Sequence, residues 1–224
     1  DLALVTRAGR EYAVPATKSY TSQLAAIAVL ATALAPDPTA LDTELHRAPE
    51  EIDRMVARRA DVAAVVDRLA ESEDTLVAGR GLVLGTALEV ALKLEETCLQ
   101  PVRGLSYADL RHGPIAVVGS GVNAVLVCAA DGPLVDGMAA LATDLHERGA
   151  TVVGFGGDER FRTRCDTAAP GPRLSEPVAP LGLVVPAQVA VEALARRLGL
   201  DPDAPRGLSK VTQTDQRHVR GGVQ

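Results

Sequence analysis

The chain has 224 residues, of which 47% are apolar and 2% aromatic, and its formal net charge is −6. This length allows one large domain or one and a half ordinary ones, with a core built mainly from Ala, Val and Leu. The negative charge and the lack of a cluster of Lys or Arg exclude nucleic acid as a partner.

The first seventy residues predict one strand followed by helices. An apolar run ended by Gly9 indicates a buried strand, and Thr17 is expected to cap a long helix that stops before Pro36. A later helix is expected to begin at Pro49, because proline is favoured in the first turn. The predicted elements are a strand at residues 2–6 and helices at residues 17–35, 41–47 and 49–72.

From residue 74 onward, predicted strands and helices alternate regularly. Strands are predicted at residues 75–78, 123–128, 151–155 and, with a weaker pattern, 173–175; helices are predicted at residues 83–99 and 133–148, and residues 186–198 fall within a final helix. Alternation of this kind implies parallel strand pairing through crossover helices. The predicted fold class is therefore α/β, a three-layer α/β/α sandwich.

The cysteines and the amino end predict a cytoplasmic protein. Cys98, Cys128 and Cys165 are widely spaced and form no C-x-x-C pair, so we predict reduced thiols, with Cys98 and Cys128 as core residues. No stretch approaches ~18 uninterrupted apolar residues, and the amino end lacks the pattern of a signal peptide. We accordingly predict no membrane partner.

The turn at Gly79, Arg80 and Gly81 invites comparison with dinucleotide-binding sites. Its glycines run G-x-G-x-x-x-G through Gly85, one residue off the fingerprint, and no acidic residue ends a second strand about 20 residues on. We interpret the turn as structural, with anion binding by the backbone N–H groups of the following helix as the lesser alternative. We predict neither a cofactor nor a metal.

One predicted helix carries a charged face. Glu89, Lys93 and Glu96 are spaced i, i+4 and i+7, so all three project from the same side. Two carboxylates that bracket an ammonium can hold a general base beside a balancing charge. Taken alone, Glu96 also fits a solvent-exposed ion pair with Lys93 at i, i+3, worth about 0.3 kcal/mol. The opposite face is apolar, and much of it is formed by Leu88, Ala91, Leu92 and Leu99.

Four motifs then occur in order along the chain. The helix reads ALEVALKLEE at residues 87–96 and is followed by DLRHGP at 109–114, while VPATKSYTSQL lies at 14–24 and PRGLSKVT at 205–212. Together they resemble the second sugar isomerase (SIS) domain of the ketose-aldose isomerases related to glucosamine-6-phosphate synthase. The resemblance implies a five-stranded parallel sheet with helices on both faces, preceded by the C-terminal part of a first SIS domain.

The resemblance also implies roles for particular residues. Glu96 would be the base that moves a proton between C1 and C2, His112 would open the sugar ring, and Lys210 would lie at the carbonyl oxygen or form a Schiff base. Family members place this histidine in the neighbouring subunit's site, which implies a homodimer with a shared active site. The residues implied to contact the substrate are Val14, Ala16 and Ser209. Without the resemblance, His112 would also fit a turn residue and Lys210 a mobile surface cation.

The predicted function is that of a sugar-phosphate isomerase or aminotransferase-type SIS protein acting on a hexose or hexosamine 6-phosphate. The sequence leaves open whether ammonia is transferred or released. Two alternatives are a non-catalytic SIS module that binds a sugar phosphate for regulation and a fragment that serves only for dimerisation. The predicted organisation is the end of a first SIS domain at residues 1–47, connecting helices at 48–73, a second SIS domain at 74–200 and a tail with the Lys210 motif at 201–224.

Overall fold

The computed structural model describes residues 3–71 and 74–210, and within them five strands form one parallel sheet. The strands are β1 Asp74–Gly79, β2 Val102–Ser106, β3 Val122–Cys128, β4 Thr151–Gly156 and β5 Thr167–Ala169. Their order in the sheet is β2-β1-β3-β4-β5. Strands β1, β3 and β4 are buried at nearly every position, as expected when helices cover both faces of a parallel sheet.

Helices cover the two faces of this sheet. The α-helices of the described residues are α1 Lys18–Leu34, α2 Thr39–Ala57, α3 Ala63–Ala70, α4 Leu84–Cys98, α5 Tyr107–Arg111, α6 Val135–Glu147, α7 Glu159–Arg162 and α8 Pro180–Arg197. One core cluster joins α3, α4 and α8 to alternate residues of the strands, including Val77 and Val125. A second cluster joins α6 to the intervening residues, including Leu76 and Leu126. The predicted three-layer α/β/α sandwich with a five-stranded parallel sheet is confirmed.

The predicted strand at residues 2–6 is wrong for the residues that the structure describes. Residues 3–10 form neither helix nor strand, and Leu4 and Val5 are 72% and 79% exposed. A strand requires a neighbour that completes its backbone hydrogen bonds, and no described strand lies outside the sheet β1–β5. The apolar run alone therefore does not make a strand.

The predicted helix start at Pro49 is also wrong, because α2 continues through this residue. Ala48 and Met55 are both buried, so the turns on either side of the proline are held by packing. The break comes later, at a short 3-10 turn over Arg59–Val62 that precedes α3. The last predicted residue of this helix, Ser72, lies outside the described residues. Thr17 does occupy the N-cap of α1, but its side chain makes no capping hydrogen bond.

The edge strands differ most from the sequence prediction. The strand predicted at residues 173–175 is wrong, since the fifth strand is β5, three residues long, with Thr167 opposite Val153. Strand β2 was not predicted, because Arg103 and Gly104 interrupt its apolar pattern and it lies, only half-buried, at the other edge. Edge strands are covered on fewer sides and carry weaker apolar patterns.

The prediction that Cys98 and Cys128 are core residues is confirmed by their burial. Burial raises the pKa of each of these thiols to about 12, so both are protonated at neutral pH and poor nucleophiles. Cys165 is partly buried. Within the described part of the chain, no helix combines the length and the apolar character needed to cross a bilayer.

Candidate functional site

Helix α4 brings three charged side chains together. Lys93 Nζ lies 2.6 Å from Glu96 Oε2 and 3.5 Å from Glu89 Oε1. The predicted bracketing of one ammonium by two carboxylates is therefore present in the fold. The side chain of Glu96 is 28% exposed, whereas that of Lys93 is 7% exposed, so the carboxylate of Glu96 is the member of this trio nearest to solvent.

Helix α4 buries two charged side chains in addition to apolar ones such as Val90 and Leu94. Glu89 and Lys93 are 9% and 6% exposed, while Leu88 and Leu92, on the other side, are 45% and 41% exposed. Removing an ion from water costs several kcal/mol, which pairing offsets only in part. A charge trio turned inward is therefore poorly explained by stability and indicates a functional site.

The pKa of Glu89, the most buried carboxyl of the trio, is set mainly by burial. Burial raises the pKa of Glu89, and this outweighs the lowering by the adjacent Lys93 ammonium. Tyr20 of α1 lies close enough to be affected, since burial and the negative charge of Glu89 together raise its pKa to about 12. Glu89 thus lies in a partly desolvated environment between α1 and α4.

A loop before α1 and the segment after α8 run side by side. Lys210 Nζ donates a hydrogen bond to the Ala13 carbonyl oxygen at 2.5 Å, and the Val14 amide donates to the Asp203 carbonyl oxygen at 2.8 Å. Val14 and Ala16 of the loop are half-buried. The structure therefore places the two segments that carry Val14, Ala16, Ser209 and Lys210 next to each other.

A cavity connects this loop to the charged helix. Its volume is about 120 Å³. The lining residues are Ala13, Pro15, Thr17, Lys93, Thr97, Gln188, Val191, Glu192, Pro202 and Asp203. Because Lys93 and the loop residues line the same cavity, the charge trio and the Lys210 segment belong to one region of the surface.

Glu11 is a member of this region that the sequence analysis missed. Its carboxylate accepts hydrogen bonds from the backbone amides of Ser19, at 2.9 Å, and Thr17, at 3.4 Å, at the start of α1. Burial alone would raise the pKa of Glu11, but these hydrogen bonds and the positive charge of Lys210 lower it overall. Glu11 therefore caps α1 in place of Thr17 and links that helix to Lys210. The sequence signal would have been an acidic residue shortly before a helix start.

Within one chain, His112 does not lie near Glu96. Helix α4 runs back from the carboxyl end of β1, and Glu96 lies twelve residues along it, about 18 Å from its start. His112 follows β2 and α5, so it lies at the carboxyl edge of the sheet, exposed, with its amide bonded to the Ala108 carbonyl oxygen at 3.0 Å. His112 thus lies towards the carboxyl ends of the strands, and Glu96 lies towards their amino ends.

The glycine turn after β1 is filled by side chains of the chain itself. A Cβ atom placed on Gly81 would lie 2.6 Å from a carboxylate oxygen of Glu176 and 2.3 Å from Leu134 Cδ1. The Arg80 guanidinium lies 4.3 Å from the ring centre of Tyr107. These contacts support the structural interpretation of the turn, because a carboxylate already lies where an anion would approach.

Comparison with known proteins identifies the family. No family model matches the chain. The glutamine–fructose-6-phosphate aminotransferase (isomerizing) of Thermococcus kodakarensis is 35% identical over 218 residues, which cover 94% of this chain and 36% of that protein. The protein of the same name from Mycobacterium tuberculosis (strain H37Rv) is 34% identical over 223 residues, with the same coverage of both chains. The chain spans about a third of the length of these curated relatives.

Solved structures agree with these relatives. The C-terminal domain of glucosamine-fructose-6-phosphate aminotransferase from Francisella tularensis matches 87% of this chain and 57% of its own, with a TM-score of 0.78 and 25% identity. The chain belongs to the sugar isomerase (SIS) domain family. Another SIS match is glucosamine-6-phosphate deaminase from Thermotoga maritima, with a TM-score of 0.67, 26% identity and coverage of 90% of this chain and 58% of that one. The comparisons thus identify a SIS protein of the sugar-phosphate type.

Proposed function

We propose that this SIS domain carries the proton-transfer site of a ketose-aldose isomerase acting on a hexose or hexosamine 6-phosphate. The observation that supports it most is the inward-facing trio of α4, in which the 2.6 Å contact from Lys93 orients the accessible carboxylate of Glu96. Named relatives of the chain act on fructose 6-phosphate or glucosamine 6-phosphate. A base held beside a buried ammonium is what such a reaction needs.

The proposed chemistry moves one proton from C1 to C2 and one from O1 to O2, without a net change of oxidation state in the sugar. Glu96, as the carboxylate, takes the proton from C1 of the open-chain ketose; the electrons of that C–H bond form a C1=C2 double bond, and the C2 carbonyl becomes an enediolate. Transfer of the O1 hydroxyl proton to O2 then leaves the negative charge on O1. The protonated Glu96 then returns the proton to C2 as the aldehyde forms at C1. The Lys93 ammonium donates a hydrogen bond of 2.6 Å to Oε2 of Glu96 and would hold that carboxylate in place during these steps.

The proposal also assigns roles to the other predicted site residues. Lys210, whose Nζ is bonded to the Ala13 carbonyl oxygen, would turn from this loop to the substrate carbonyl oxygen. Contacts to the sugar would come from Val14, Ala16 and Ser209. His112 lies towards the opposite sheet edge from Glu96, so ring opening would use His112 of the partner subunit in a homodimer.

The proposed organisation follows the same division as the sequence analysis. Residues 74–200 would form the second SIS domain, and residues 1–47 would be the end of a first one, joined by the helices of residues 48–73. Helix α1 packs against α2 and α8, which supports a close association of the two parts. Residues 201–210 carry Lys210 to the loop at Ala13, and the rest of that tail lies outside the described residues.

Sugar-phosphate binding and proton exchange test this function. With the full-length product of the gene, we expect fructose 6-phosphate to bind by calorimetry and its C1 proton to exchange with solvent deuterium by NMR. Unphosphorylated fructose is the matched control and should bind far more weakly. Binding without exchange would support the regulatory alternative instead, and the absence of both would contradict the proposed function.

A further inference from the structure

The cavity beside Lys93 contains polar groups that lack partners among the described residues. Thr97 is 4% exposed, and its Oγ1 has no hydrogen-bond partner there; the same holds for Nε2 of Gln188. Both side chains line the cavity of about 120 Å³. A buried polar group without a partner costs about 1–3 kcal/mol, so this pair indicates a place where another polar group binds.

The position of Thr97 connects the cavity to the charge trio. Thr97 is one helical turn beyond Lys93, and residues spaced i and i+4 lie on the same face of a helix. Gln188 comes from α8, which packs closely against α4. A molecule held at Glu96 therefore has Lys93 on one side and this cavity directly beyond it.

The charges around the cavity decide which part of a ligand it can take. Glu192 and Asp203 also line it, and their negative charges disfavour a phosphate group. Gln188 Nε2 can only donate a hydrogen bond, while the Thr97 hydroxyl can donate or accept. A hydroxyl group matches both, because it can accept from the amide and donate to the threonine oxygen.

The volume agrees with a small part of a sugar. The cavity of about 120 Å³ opens to solvent, so one part of a sugar can enter it while the rest of the ligand stays outside. Resting on the function proposed above, we propose that Thr97 and Gln188 form a polyol subsite that holds a hydroxyl of the substrate with its phosphate directed away. These two residues would then help to determine which sugar is accepted.

A ligand series tests this subsite. Replacing Thr97 with Val keeps the shape and removes the hydroxyl. We expect the Thr97→Val variant to bind fructose 6-phosphate about 3- to 10-fold more weakly, the value of one hydrogen bond. We also test analogues of fructose 6-phosphate that each lack one hydroxyl. We expect one of them to bind the wild type more weakly than fructose 6-phosphate does, but to bind the variant as tightly as fructose 6-phosphate does. Calorimetry measures each dissociation constant.

The control is Thr86→Val, because Thr86 is another buried threonine of α4 but lines a different, mainly apolar cavity. This variant should bind every analogue as the wild type does. Thermal unfolding of Thr97→Val should show no loss of stability, which separates a binding role from a folding role.

The outcomes separate the subsite from the proposed function. If the wild type binds and exchanges fructose 6-phosphate but Thr97→Val has unchanged affinity for every analogue, the cavity holds only water and the subsite proposal is overturned. If the wild type binds no sugar phosphate, the proposed function falls, and the subsite with it. Loss of discrimination in Thr97→Val but not in Thr86→Val supports the subsite.

Discussion

Replacing Glu96 with Gln should lower the exchange of the C1 proton of fructose 6-phosphate with solvent by at least about 100-fold, and by up to about 10,000-fold. The amide keeps the size of the side chain but cannot accept a proton from carbon. Because Glu96 is partly exposed and lies at one end of the trio, the change should leave the fold and the affinity for the sugar phosphate nearly unaltered. NMR in deuterated water measures the exchange rate.

The matched control is Glu95→Gln at the adjacent residue. Glu95 is exposed, and its side chain points about 100° around the helix axis from that of Glu96. Its substitution therefore removes the same charge without touching the trio. The control variant should exchange the proton at the wild-type rate. If Glu96→Gln also does so, Glu96 is not the base.

Replacing Lys93 with Met should lower the free energy of unfolding at pH 7 by about 3–5 kcal/mol, the cost of breaking a buried ion pair from one side. The ammonium is 3.5 Å from Glu89 Oε1, and without it the buried Glu89 carboxylate has lost its positive partner. Methionine has a similar length and no charge, so little packing is lost. Urea unfolding measures the difference between the variant and the wild type.

The pH dependence of this loss follows from the raised pKa of Glu89. Between the ordinary carboxyl value of 4.5 and the raised folded-state value, the folded protein binds more protons than the unfolded protein. Stability therefore falls as pH rises through that window, and the deficit of Lys93→Met should shrink as the pH is lowered through it. The double variant Lys93→Met, Glu89→Gln should recover most of the loss at pH 7. A deficit that does not change with pH, or no recovery in the double variant, would contradict this account.

The central strands and their helices could be predicted because their pattern is local. Val77 and Val125 belong to continuous apolar runs bounded by turn residues, and such runs have few other structures available to them. The edges could not be predicted in the same way. Residues 3–6 have an apolar pattern but no neighbouring strand, whereas β2 has a neighbouring strand but a pattern interrupted by Arg103 and Gly104. Strand pairing is a property of the whole fold.

The same distinction between local pattern and whole-fold packing applies to the candidate site. The spacing of Glu89, Lys93 and Glu96 on one helix face follows from helical geometry, so their grouping could be predicted. Which side chains are buried depends on what packs around the helix, and no local pattern indicated that Glu89 and Lys93 would be buried while Leu88 and Leu92 remain exposed. Glu11 was missed for a related reason, since its link to Lys210 joins residues from opposite ends of the chain.

The most direct test of the shared site is a mixture of two inactive variants, Glu96→Gln and His112→Asn. A site built from Glu96 of one subunit and His112 of the partner subunit is intact once in each mixed dimer. With equal amounts of the two variants, random pairing makes half of the dimers mixed, and one of the two sites in each mixed dimer is intact. The mixture should therefore show about a quarter of the wild-type exchange rate, although each variant alone is inactive. A mixture that forms mixed dimers, shown by differently tagged chains, and yet remains inactive would contradict the account.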